Sequence, residues 1–208
     1  FDYGPAAARE VVADAPQTWV SANVFGPDGD RFAADHVAPT TVVETDGVRL
    51  GFFGVTDPAT PSLNPMASEL TVTDPYAAAE DAVADLRARD VDRVIAVSHL
   101  GGGDDELARR VDVDVILGGH VHAERDDRVA GARLLRPGAN GHVIFEVDLG
   151  AGPEGAVEVT RHETAEAPVA DDVVAALEGR VDAAGLDEVV ARAEAPLDRS
   201  ESTVFGGE

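Results

Sequence analysis

Two histidines one residue apart, His120 and His122, follow Gly118-Gly119 at the end of the apolar run Val113-Asp114-Val115-Ile116-Leu117. An earlier run, Val94-Ile95-Ala96-Val97-Ser98, ends on His99. Neutral imidazole is a ligand for zinc, manganese, iron or cobalt. Histidines at the ends of neighbouring strands can aim at one place, and the glycines let the backbone turn and let a ligand come close. Three imidazoles with carboxylates from elsewhere can hold two ions roughly 3.5–4 Å apart, the spacing that clamps a phosphoryl group and activates a water. The chain has no cysteine, so thiolate metal sites and disulfides are excluded.

These histidines need a sheet edge, and the order of elements predicts one. Pro5 to Ala13 reads as a helix and Trp19 to Val24 as a short strand. Thr41–Glu44 and Val48–Val55 read as a hairpin across Thr45-Asp46-Gly47, with Asp-Gly as the turn signal. Asp57 to Leu70 reads as a loop. Asp74 is a predicted N-cap with Pro75 in the first turn, and Ala79, Val83 and Leu86 form the apolar face of the helix that follows. A strand over Val94–Ser98, a short helix over Asp104–Arg110 and a strand over Val113–Leu117 complete a β-α-β-α-β order. That order favours a parallel sheet, with ligands bound beyond its carboxyl ends. Gly101-Gly102-Gly103 reads as a flexible turn; it lacks the Lys and Ser/Thr of a P-loop. Asp112, Asp114, Asp126 and Asp127 read as solvated surface acids, and His36, His142 and His162 as ordinary histidines. Segments at Arg133–Leu135, Val143–Leu149 and Ala156–Val159 read as an antiparallel meander. Two amphipathic helices broken at Gly185 are expected over Ala170–Arg199. The expected domains are residues 1–165 and a helical linker, 166–208, leading to a second domain.

The chain has 208 residues and carries 40 acidic against 16 basic residues, a net charge of −24; every basic residue is Arg. Such a surface repels itself in dilute salt and is relieved when molar salt shortens the Debye length to about 3 Å. The composition is that expected of a salt-adapted protein from a halophile. No basic stripe is present, so duplex nucleic acid is not an expected partner. No apolar run approaches the ~20 residues that span a bilayer. The chain opens on Phe1-Asp2-Tyr3-Gly4 rather than Met, and it is expected to be a piece of a longer protein.

Ser98-His99-Leu100-Gly101 and Gly118-Gly119-His120-Val121-His122 together resemble the calcineurin-like metallophosphoesterases, most closely their 5′-nucleotidase branch. Phe1-Asp2-Tyr3-Gly4 resembles the end of that family's Gly-Asn-His-Glu-Phe-Asp-x-Gly block. Ser21-Ala22-Asn23-Val24, Gly51-Phe52-Phe53-Gly54-Val55-Thr56 and Arg199-Ser200-Glu201-Ser202 are similar to further family segments, so the resemblance covers essentially the whole chain. It implies an α/β fold, the four-layer metallophosphoesterase sandwich of mixed sheets flanked by helices, incomplete at its N-terminal edge. It implies two divalent ions (Mn, Zn, Co or Fe), with His99 and His120 on one and His122 on the other. It makes Asp2 the acid of a His–Asp dyad that stabilises phosphate and protonates the leaving group. Val121 replaces the usual Thr at a position that is not a ligand. The expected substrate is a nucleotide or another small phosphoester, hydrolysed by a metal-activated hydroxide in line at phosphorus. Alternatives are a 2′,3′-cyclic nucleotide phosphodiesterase, a nucleotide-sugar diphosphatase, and, from another class, a non-catalytic metal-binding remnant. The family's Asp-x-His strand end, bridging Asp and Asn-His pair are absent from these residues. The segment alone is therefore expected to bind metal weakly and not to turn over substrate.

Overall fold

A computed structural model describes residues 1–150 and 155–189. They fall into two compact units that divide after Ala165. In the first, α1 (Gly4–Asp14) starts with Pro in its first turn, where the missing N–H is not needed. The strand expected over Trp19–Val24 is two, β1 (Trp19–Val20) and β2 (Val24–Phe25). Asn23 breaks it. Its buried side chain donates to the carbonyls of Thr56 and Thr73 and accepts from the Thr56 N–H, taking the place of a ladder and turning the chain.

After β3 (Val37–Ala38), β4 (Thr40–Thr45) and β5 (Val48–Thr56) form the expected hairpin, with Thr45, expected in the turn, paired opposite Val48. Asp46 and Gly47 both take positive φ, +50° and +78°, as a two-residue primed turn demands. The Asp57–Leu70 connection carries its own short helix α2 (Thr60–Leu63), and β6 (Thr71–Val72) then pairs with β2. In α3 (Pro75–Ala88), Asp74 caps the N–H groups of Tyr76 and Ala77. β7 (Arg93–His99), α4 (Asp104–Arg110) and β8 (Val115–Gly118) follow.

The sheet then departs from the expected meander. β9 (Glu124–Val129) pairs antiparallel with β10 (Ala132–Pro137), and β10 pairs parallel with β8. β9 reads Glu-Arg-Asp-Asp-Arg-Val and has no apolar alternation to announce a strand. Ion pairs hold it instead: Asp126 bonds Arg133 on β10, and Arg125 bridges Asp127 and Asp105. The meander survives only as the separate hairpin of β11 (Val143–Asp148) and β12 (Glu158–Glu163).

The main sheet runs β4-β5-β7-β8-β10-β9, parallel at its centre and antiparallel at both edges. Its central strands are mainly apolar because most of both faces is covered. Phe53, Val94, Ala96, Ile116 and Leu134 join Leu86 of α3 and Leu107 of α4. Ile95, Val115 and Leu135 face the other way, onto Phe145, Val147 and Val159 of the hairpin. Full burial of a side chain such as Leu86 stabilises by about 1.5–3 kcal/mol. Asp114, expected at the surface, is instead a clamp between β7 and β8: it binds the Arg93 guanidinium at 2.7 Å and accepts the Val94 N–H at 2.8 Å.

The second unit contains α5 (Asp171–Ala183), which has no buried residue, and Gly185 then takes φ +64°. The expected second helix, up to Arg199, falls largely outside the described residues. No helix among the described residues is long and apolar enough to cross a membrane.

The acidic excess has a consequence for stability. Screening of a −24 charge weakens repulsion that is stronger in the compact state than in the expanded chain. Thermal unfolding followed by circular dichroism should show the midpoint rising steadily between ~0.1 M and ~2 M KCl. A midpoint that is flat or falls over that range contradicts the expectation.

Candidate metal centre

His99 is the last residue of β7, and the register sets Thr56, the last residue of β5, beside it. β8 is the next parallel strand, with Ser98 opposite Gly118, so the turn carrying His120 opens at the same edge. The His99 and His120 rings lie edge to face with centroids 5.0 Å apart. Asp57, one residue beyond β5, directs Oδ2 to within 3.8 Å of His120 Nε2, while its Oδ1 accepts the Ala59 N–H at 2.8 Å. Three consecutive parallel strand ends thus contribute Asp57, His99 and the His120 turn. The grip of Asn23 on Thr56 fixes the strand end from which Asp57 projects.

His120 is held in an unfavourable conformation. Its φ is +69°, and the Val121 N–H bonds back to the Gly119 carbonyl at 2.8 Å, a γ-turn centred on a residue with a β-carbon. Such backbone strain, about 1–3 kcal/mol, persists only where surrounding structure enforces it. Here the enforcement is close packing: a β-carbon on Gly119 would lie 3.1 Å from His99 Nδ1, and one on Gly101 would lie 3.0 Å from His120 Cδ2. Gly101 itself takes φ +59° and is buried beneath His120, at the start of a 3-10 turn whose next residue, Gly102, is exposed.

The His99 side chain is exposed on one side, yet the atoms packed around its ring lower its pKa from the ordinary imidazole value. That desolvation is the largest cause, and the neighbouring His120 is the second; Asp57 and Asp104 act in the opposite direction. A neutral ring keeps a lone pair for coordination.

The other two expected site residues are placed differently. His122 lies in the exposed segment that leads into β9, and its ring has no hydrogen bond or ion pair among the described residues. Asp2 is exposed and accepts a bond from Asn64 Nδ2 at 3.3 Å. It lines an apolar pocket that also includes Phe1, Trp19, Phe32 and Thr56, so it reaches the β5 end of the same edge. Among the described residues no three His, Asp or Glu side chains form a ready-made metal cage. The two adjoining imidazoles, His99 and His120, fit part of the shell of a divalent transition ion, and Asp57 approaches only the second of them.

Asp57, Asn23 and the buried Asp104 were not anticipated from the sequence. Only Asp57 carries a usable signal: it follows the apolar strand β5 directly, by the rule that singles out His99 after β7.

No family model matches the chain. It is 36% identical over 104 residues to a 5′-nucleotidase of Diplobatis ommata, covering 49% of this chain and 18% of that one. It is 25% identical over 146 residues to a trifunctional nucleotide phosphoesterase of Bacillus subtilis, covering 64% of this chain and 10% of the relative. The chain therefore spans less than a fifth of the length of these curated relatives. The crystal structure of a 5′-nucleotidase precursor from Thermus thermophilus superposes with a TM-score of 0.78 at 27% identity, over 92% of this chain and 43% of that one. In sequence and in fold, this chain is similar to 5′-nucleotidases and nucleotide phosphoesterases.

Proposed function

We propose that the protein hydrolyses phosphate esters of nucleotides with the help of two divalent ions, and that the edge formed by β5, β7 and β8 is one side of its active site. The observation that supports this most is the pairing of His99 with His120, two imidazoles 5.0 Å apart on a strained turn, in a chain whose relatives are nucleotide phosphoesterases. His99 and His120 would hold one ion, and His122 would turn to the other. Bound there, Mn, Zn, Co or Fe supplies Lewis acidity at the phosphoryl oxygens and acidifies water.

The chain's own residues have definable tasks. His99 stays unprotonated because its ring is desolvated and faces another imidazole. Asp57 places negative charge beside His120 Nε2, which favours a proton on that nitrogen and a free lone pair on Nδ1. Asp2, on the neighbouring wall, would orient a leaving-group histidine that these residues do not themselves supply. With two adjoining imidazoles and a carboxylate that approaches only one of them, the 208 residues by themselves bind metal weakly and turn over little substrate.

The test is release of inorganic phosphate from nucleoside monophosphates by the full-length protein, stripped with EDTA and reloaded with Mn2+ in high salt. Metal-dependent release is expected. Cyclic nucleotides and nucleotide sugars, run in parallel, separate the phosphodiesterase and diphosphatase readings. Metal binding without hydrolysis of any of the three would leave a non-catalytic module.

A further inference from the structure

Beneath the candidate centre lies a buried charged group with no part in the chemistry above. Asp104, at the start of α4, is fully buried. Its Oδ1 accepts the Ser98 hydroxyl at 2.6 Å, and its Oδ2 accepts Arg136 Nη2 at 2.7 Å. Ser98 and Arg136 are themselves only 5% exposed. Ser98 Oγ also accepts the Leu100 N–H at 3.2 Å, so one hydroxyl grips the backbone on the far side of His99 while its own residue precedes it. Arg136 Nη2 also donates to the Gly101 carbonyl at 2.8 Å, fixing the turn that packs under His120. A β-carbon on Gly118 would meet Asp104 Oδ2 at 2.7 Å, so the carboxylate also abuts the backbone two residues before His120.

Each contact reaches one of the two histidine-bearing strand ends, and Asp104 is common to both. We propose that Asp104, with Ser98 and Arg136, is a positioning residue: it sets the distance and orientation of the His99 ring relative to the His120 ring. The inference rests on the metal-centre reading above. A role in stability alone accounts for the cluster less well. A buried ion pair stabilises a fold little against apolar residues of the same volume. This pair is also imperfectly satisfied, since Arg136 Nε is buried without a hydrogen-bond partner among the described residues. What the cluster supplies that apolar packing does not is direction: four hydrogen bonds aimed at the backbone and side chains around two histidines.

The experiment uses the full-length protein in three forms: wild type, Ser98→Ala, and the paired replacement Asp104→Leu with Arg136→Met. Ser98→Ala removes one hydroxyl and leaves the ion pair intact. The paired replacement removes both charges together. Two properties are read well below each unfolding midpoint. The first is the ring-to-ring nuclear Overhauser effect between His99 and His120 without metal. The second is Mn2+ affinity by titration calorimetry. The expected result is loss of the ring-to-ring effect in both variants, with affinity lower by a factor of about ten or more. Folded variants that keep both at the wild-type level overturn the proposal. If wild type binds no Mn2+, the metal reading fails. The ring-to-ring effect then decides the positioning role: its loss in the folded variants upholds it, and its retention refutes it.

Discussion

Replacing His120 by glycine should make the full-length protein slightly more stable and nearly inactive. The stability gain follows from backbone conformation. At φ +69° a residue with a β-carbon is strained, and glycine is not. Relief of about 1 kcal/mol is expected, because the imidazole is about a third exposed and little apolar packing is lost. The activity loss follows from the second role of the ring. Removal of one of two adjoining imidazoles takes a ligand from the proposed centre, and phosphate release should fall on the order of a thousandfold. Chemical denaturation and phosphate assay on the same preparation check the two halves. Opposite signs at one residue would show that the fold tolerates strain for the site. Lower stability with unchanged turnover would mean that His120 only packs.

Asp104→Ala should be the most destabilising single change to a polar residue in this region. It would leave the Arg136 guanidinium, 5% exposed, without its carboxylate, and would strip the Ser98 hydroxyl of its acceptor. Breaking one side of a buried pair costs about 3–5 kcal/mol, a large share of the roughly 5–15 kcal/mol that holds a domain folded. The paired replacement Asp104→Leu with Arg136→Met should recover most of this loss, because no buried charge is left alone. Urea unfolding of the two variants and wild type gives the comparison. A loss below about 1 kcal/mol for Asp104→Ala would show that water or another cation reaches Arg136.

The parts of this structure legible in the sequence are those in which local signals agree. Asp46-Gly47 between apolar runs fixed one hairpin, and Asp74-Pro75 fixed the start of α3. The runs ending at Ser98 and Leu117 gave the parallel core and brought His99 and His120 to one edge. What was missed depends on contacts distant in sequence. β9 is a strand because Arg133 and Asp105 neutralise its charges, and its own residues carry no strand period. Asp104 is buried and Asp114 half-buried because Arg136, 32 residues away, and Arg93, 21 residues away, meet them. In a chain with 40 acidic residues, nothing in the sequence separates those two from the solvated ones. Asp57 is the exception, since it ends a strand as His99 does.

The central claim is that His99 and His120 share a divalent ion, and anomalous diffraction tests it most directly. Crystals of the full-length protein grown with Mn2+ would be measured on both sides of the manganese edge. The account predicts a manganese peak in contact with both rings, on the side where the strand ends of β5, β7 and β8 meet. Full-occupancy manganese elsewhere, with both rings free of metal, would contradict it.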